Sequence, residues 1–215
     1  MNFSYRFLNE MVEAINQREK LRTLVKAGTI LRAQDLREQG IAGTTIRRAL
    51  NDGELLRIGR GLYQNPDADI DSDLTIAEIS TRIPKGVIAM VSALAWHGLT
   101  DQMPRKTWVA IGTNDWKPVE GSPPVRIVRF ADKYLTQGIE HHTICGIDVP
   151  IYSVPKTLAD LFRNGKLVDR SVAVEGLRAA VEQRKATPSA IAEAARKGGA
   201  WRIMRPYLEA LTFNG

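Results

Sequence analysis

Leu21, Leu24 and Val25 recur at helical spacing between Gln17 and Ala27, and Gly28 is placed to end that helix with a left-handed C-terminal cap. Thr29 to Leu31 is a short apolar connector, and Ala33 to Gln39 forms a second helix that Gly40 ends. In the next stretch, Gly43 to Asn51, Ile46, Ala49 and Leu50 share one helical face. Thr44, Arg48 and Asn51 point the opposite way, with Arg47 on the flank. Leu56 and Ile58 then alternate with Leu55 and Arg57, Gly59-Arg60 suits a two-residue turn, and Gly61 to Gln64 returns as a second strand. Helix, helix, helix and hairpin in that order predict a winged helix-turn-helix. Ahead of it, Phe7, Leu8, Met11, Val12 and Ile15 mark an amphipathic helix.

Beyond the wing, Asp67 to Asp73 reads as an acidic linker, so the pattern divides the chain into residues 1–66, a linker at 67–73 and a second domain at 74–215. A helix is expected from Leu74 to Arg82, ended by Pro84. Within the apolar run from Gly86 to Gly98, a short helix capped by Ser92 and closed by Gly98 is expected. Strand patterns follow at Thr107–Ile111, Val125–Phe130, Gly138–Cys145 and Ile147–Ser153, pointing to a small antiparallel sheet. Helices are then expected over Val154–Asn164, Asp169–Gln183, Pro188–Lys197 and Ala200–Leu211, the third with Thr187 as cap and proline in its first turn. Strands grouped ahead of helices give an α+β class.

Charge sharpens the reading of the first domain. The chain carries +6 at neutral pH, and residues 1–66 hold 11 Lys and Arg against 7 Asp and Glu. Positive potential concentrated on a helix-turn-helix is what phosphate attraction requires. Arginine and asparagine present donors and acceptors that match guanine and adenine edges in a major groove. The candidate DNA-binding residues are therefore Thr44, Thr45, Arg47, Arg48 and Asn51 on the third helix, and Arg57 and Arg60 at the wing, where a hairpin meets the sugar-phosphate backbone.

Other chemistries find less support. Asp67, Asp69, Asp71, Leu74 and Glu78 imitate part of a calcium loop, but Ser72 stands where the sharp turn needs glycine and a strand precedes it. No metal or cofactor is expected. His97, beside Trp96, reads as a packing residue, and His141 and His142, adjacent in a strand, face opposite sides. The rival class is a nuclease joined to a DNA reader, with Asp148 and Lys156 as its nearest candidates, but no carboxylate pair accompanies them. No phosphate-cradling glycine loop or nucleophile elbow is present, and the chain is expected not to be an enzyme. A single cysteine, Cys145, excludes an internal disulfide. No apolar run reaches membrane-spanning length and the N-terminus lacks a signal-peptide pattern, so the expectation is a cytoplasmic protein with no membrane partner.

Several stretches resemble the AbiEi family of abortive-infection antitoxins: Arg60-Gly-Leu-Tyr63, Ser92-Ala-Leu-Ala-Trp-His-Gly-Leu-Thr100, Gly146-Ile-Asp-Val-Pro-Ile-Tyr152, Lys156-Thr-Leu-Ala-Asp-Leu-Phe-Arg163 and Trp201-Arg-Ile-Met-Arg-Pro-Tyr-Leu-Glu209. The order and spacing carry the resemblance, which covers nearly the whole chain beyond the first dozen residues. It implies an antitoxin of a toxin-antitoxin phage-defence system that also represses its own transcription. Its winged helix would bind inverted repeats in double-stranded promoter DNA. Its C-terminal domain would counteract a nucleotidyltransferase-like toxin without a stable complex. Lys156, Thr157, Asp160 and Arg163 in the matching helix are the candidate antitoxic surface, although Lys156 with Asp160, and Asp160 with Arg163, also have the spacing of ordinary structural pairs. Lys166, Arg170, Arg178, Arg184, Lys185, Arg196, Lys197, Arg202 and Arg205 add positive charge to the following helices.

Overall fold

The structure is a computed structural model, described here over residues 16–26, 30–59, 61–67, 72–116, 121 and 123–212. The amphipathic stretch Phe7 to Ile15, the Gly28 cap, Arg60 and residues 68–71 of the acidic run lie outside those residues. The chain forms two compact units, residues 1–82 and 83–215.

In the first unit, helix α1 (16–26) precedes β1 (Leu31–Arg32), α2 (Ala33–Glu38), α3 (Gly43–Asn51), the hairpin β2 (Leu56–Gly59) and β3 (Leu62–Gln64), and α4 (Ser72–Arg82). The core is Leu21 and Val25 of α1, Leu36 of α2, Ile41 in the turn, Ile46 and Ala49 of α3, and Leu55. Burying each large aliphatic side chain contributes about 1.5–3 kcal/mol, so one such cluster suffices to fix three short helices. Gly40 turns the chain between α2 and α3 with φ +79°, conformationally open to glycine.

The connector is more ordered than its length indicates. Leu31 and Arg32 pair antiparallel with Tyr63 and Leu62, so β1 makes the wing three-stranded in the order β1-β3-β2. Gly59 is not in the turn as expected but still in the ladder, paired with Leu62, and Gly61 has φ +73°. A bulge between Arg57 and Gly59 breaks the simple alternation, and it is Leu55 that is buried and Leu56 exposed. The break between units falls after Arg82 rather than at the acidic run, so α4 goes with the winged helix. Its buried Ile76, Ala77 and Ile79 explain why a helix following an acidic linker still packs, and it lies close enough to β2 that a Cβ at Gly59 would sit 3.3 Å from Glu78 Cγ.

The second unit contains β4 (Val87–Ile88), α5 (Met90–Trp96), β5 (Thr107–Gly112), β6 (Val125–Phe130), α6 (Asp132–Leu135), β7 (Ile139–Ile144), β8 (Ile147–Tyr152), α7 (Val154–Arg163), α8 (Arg170–Glu182), α9 (Pro188–Lys197) and α10 (Trp201–Thr212). The α+β class holds. The sheet has the order β6-β5-β4-β8-β7. Antiparallel pairing occurs at β4–β5 and at the β7–β8 hairpin, whereas β5–β6 and β4–β8 run parallel. Twelve residues separate β5 from β6, room for the crossover that a parallel neighbour requires, which strand patterns alone do not reveal.

The helix expected from Ser92 begins earlier, as α5, and is preceded by the strand β4. Gly86 enables this: a Cβ there would lie 2.5 Å from Val109 Cγ1 of β5. Ser92 is not the cap. Ala89 is, and the Ser92 hydroxyl lies inside the helix, accepting a hydrogen bond from Trp108 N at 2.9 Å. Gly98 closes the helix with φ +70°, as its position indicates. Thr187 Oγ1 accepts from Ala190 N at 3.2 Å and so caps α9. Helix α7 is the hub, packed by α5, α8, α9 and α10 and buried on nearly every side. Opposite α5, α8 presents Gly176, where a Cβ would approach Leu94 Cδ1 to 2.8 Å.

Candidate nucleic-acid interface

Helix α3 turns Ile46 and Ala49 into the core and leaves Thr44, Arg47, Arg48 and Asn51 exposed. These four occupy a little over a quarter of the helical circumference at 100° per residue, making one continuous polar strip. Thr45 departs from the expected set. It is only 7% exposed, and its hydroxyl donates to Gln17 Oε1 at 3.0 Å. The same Gln17 oxygen accepts from Ala42 N at 3.0 Å, so one side chain of α1 pins the start of α3. Thr45 thus helps fix the start of α3 and is not part of its exposed face.

The far end of α3 is held by charge. Arg18 donates to Asp52 and to Glu54, and Arg22 donates to Glu54. Asp52 is the C-terminal cap residue of α3, so the network ties that end back to α1. The Arg22 and then the Arg18 hydrogen bonds pull the Glu54 carboxyl down to about 2. Both acids beside the reader are thereby neutralised by α1, and Arg47 and Arg48 face solvent without carboxylate partners among the described residues. Gln17, Arg18 and Arg22 escaped the sequence reading because their partners lie 25 to 36 residues away. On the wing, Arg57 is exposed and its Nε donates to Gly59 O at 3.1 Å, which curls the side chain toward the hairpin tip.

The C-terminal candidates assemble differently. Lys156 is 3% exposed, Thr157 and Asp160 are fully buried, and together they form no surface. Lys156 Nζ donates to both Asp160 oxygens at 2.8 and 2.7 Å, and Arg163 donates to Asp160 Oδ1 at 2.7 Å and to Gly198 O at 3.2 Å. Aromatic faces complete the enclosure: Lys156 Nζ lies 4.6 Å from the Tyr152 ring centre, and the Arg163 guanidinium 3.9 Å from that of Tyr134. Burial pushes Asp160 up and Lys156 down, against the attraction of the pair for each other. Thr157 Oγ1 donates to Tyr152 O. The strip is covered because α9 packs over α7, and the reading of these residues as structural pairs is the one the geometry supports.

Asp148 and Lys156, the nearest approach to a nuclease centre, do not meet. Asp148 accepts from His141 Nδ1 at 2.9 Å across the exposed β7–β8 hairpin, while Lys156 is committed to Asp160. His97 Nε2 lies 2.8 Å from Tyr152 O and its pKa is lowered by burial, consistent with a packing role. His142 stacks edge-on against Trp96, on the side of the strand away from His141. Among the described residues no cluster of His, Cys, Asp or Glu is arranged to hold a metal, and no helix is long and apolar enough to cross a membrane.

Three helices with a hairpin wing, one helix presenting an arginine-bearing face, define the first unit as a winged helix-turn-helix, joined here to an α+β unit. Residues 16–104 match the family model described as transcriptional regulator, AbiEi antitoxin N-terminal domain. The crystal structure of the RV2827C protein from Mycobacterium tuberculosis is similar over 90% of this chain and 81% of that one, with a TM-score of 0.56 at 14% identity, a likeness of fold. Among curated proteins there is no match.

Proposed function

We propose that this protein is an antitoxin that also represses its own promoter, with α3 reading operator bases and the wing holding phosphates. The observation that carries the reading is the solvent-facing strip of Thr44, Arg47, Arg48 and Asn51 on a helix whose other face is core and whose two ends are pinned by α1. Arg48 and Asn51 supply base-edge contacts, Thr44 a phosphate or thymine-methyl contact, and Arg57 and Arg60 the backbone contacts. Inverted promoter repeats are the DNA, the cytoplasm is the compartment, and the second unit counteracts a nucleotidyltransferase-like toxin without forming a stable complex. The chain acts by binding and not by catalysis.

The test is a salt titration of binding to operator and scrambled duplexes. Arg48→Ala should cost about 1–3 kcal/mol on the operator and flatten discrimination between the two DNAs. Arg57→Ala should weaken both alike and reduce the salt slope by about one unit. Both variants should still rescue growth against the co-expressed toxin. An unchanged specificity ratio in Arg48→Ala would remove α3 as the base reader.

A further inference from the structure

In the second unit, the loop joining α7 to α8 forms an open cleft of about 570 Å³ lined by Arg163, Asn164, Gly165, Lys166, Leu167 and Arg170. No carboxylate lines it. Arg163 is spent on Asp160 and Gly198 O, and Arg170 Nη1 donates to Phe162 O, but Lys166 is exposed and has no acidic partner among the described residues. Asp169, the nearest acid in sequence, is turned to the cap of α8, where Oδ1 accepts from Ser171 N at 2.8 Å.

Exposed apolar side chains stand on the cleft lip and on α10. Phe162 is fully buried, and its ring has the Arg170 guanidinium at 5.1 Å and the Tyr207 ring at 5.5 Å, so it links the cleft residue Arg170 to α10. Tyr207 is 37% exposed, and Ile203, one turn earlier on α10, is 42% exposed, as is Leu167 on the cleft lip. Three of the large apolar side chains left most open in the described chain thus stand beside unneutralised cations.

We propose that this face docks an acidic amphipathic segment of a protein partner. Carboxylates of that segment meet Lys166 and Arg170, and an apolar side chain seats against Leu167, Tyr207 and Ile203. Charge complementarity fixes the sign of the partner. The exposed leucine and isoleucine decide its class, because aliphatic side chains around an aromatic anchor characterise protein interfaces, whereas duplex-binding faces are far more polar. The docking face is formed by residues of the second unit alone.

The experiment uses the full chain and three probes: a labelled short peptide alternating Glu with Leu and Tyr, the same peptide with Lys replacing Glu, and a short duplex of arbitrary sequence. Fluorescence anisotropy should show the acidic peptide binding about tenfold or more tighter than the basic one. Lys166→Glu, Leu167→Ser and Ile203→Ser should each weaken it several-fold while leaving the thermal midpoint unchanged. Equal binding of the two peptides, or variants that bind the acidic peptide like the parent, would overturn the proposal. So would loss of duplex binding in Lys166→Glu with no effect of Leu167→Ser or Ile203→Ser, which would make the face a nucleic-acid surface.

Discussion

Thr44, Arg48 and Asn51 on α3 and Lys156, Asp160 and Arg163 on α7 repeat one spacing, i, i+4, i+7, on helices of nine and ten residues. The first strip faces water and the second is closed in by α9, Tyr152 and Tyr134. What separates them is charge balance within the strip. On α7 one carboxylate lies between two cations and accepts from both, so burial leaves no acceptor or donor stranded. On α3 the neighbouring acids are taken by Arg18 and Arg22, and covering Arg47 and Arg48 without an anion would strand two charges. Helical amphipathicity describes both strips equally well and distinguishes neither.

The contrast is broken most forcefully at Asp160. Asp160→Ala leaves buried Lys156 and half-buried Arg163 without their counterion and should destabilise the chain by about 3 kcal/mol in urea unfolding. Arg48→Ala, on the exposed strip, should stay within about 0.5 kcal/mol of the parent in the same titration. Equal stabilities for the two variants would mean that the α7 strip is not a buried staple. A smaller effect sharpens the line between face and support on α3 itself. Thr45→Val removes the hydroxyl donated to Gln17 and should cost about 1 kcal/mol of stability, yet preserve the ratio of operator to scrambled binding. If that ratio collapsed instead, Thr45 would belong to the reading face after all.

The smallest effect is expected from the exposed clamp. Glu54 is held at about 2 against an ordinary value of 4.5, so its contribution is complete above 4.5 and fades as pH falls toward 2. Glu54→Gln should therefore lose less stability than the parent across that interval, while near neutrality the parent keeps a slight advantage. Parallel acid-unfolding curves for the two proteins would show that the clamp does not couple α1 to the end of α3.

The parts of the fold visible in the sequence are those set by local periodicity and caps. Strand β6 and helix α9 begin and end where the pattern places them, and Gly98 and Thr187 play the terminal roles their chemistry indicates. What the sequence hid depends on distant partners. The two-residue strands β1 and β4 are too short to carry a period, and only pairing with β3, β5 and β8 makes them strands. Thr45 looked available because Gln17 is 28 residues away, and the α7 strip looked exposed because the covering helix α9 begins at Pro188. The polar face of α3 is open where that of α7 is covered, because one side of α3 packs on a simple apolar cluster and no second layer lies above the other.

The β7–β8 hairpin turns through Cys145 at φ +50° and Gly146 at φ +71°, the primed geometry that matches strand twist. Cys145 is the chain's one sulfhydryl, half-exposed at the end of that turn. A maleimide dye or spin label therefore attaches at a single defined point on the second unit, without any engineering. Distances from that point to a probe on operator DNA would report how the α+β unit is carried relative to the duplex. Exchange of this residue for glycine or asparagine would give a label-free background in a backbone conformation those residues adopt readily.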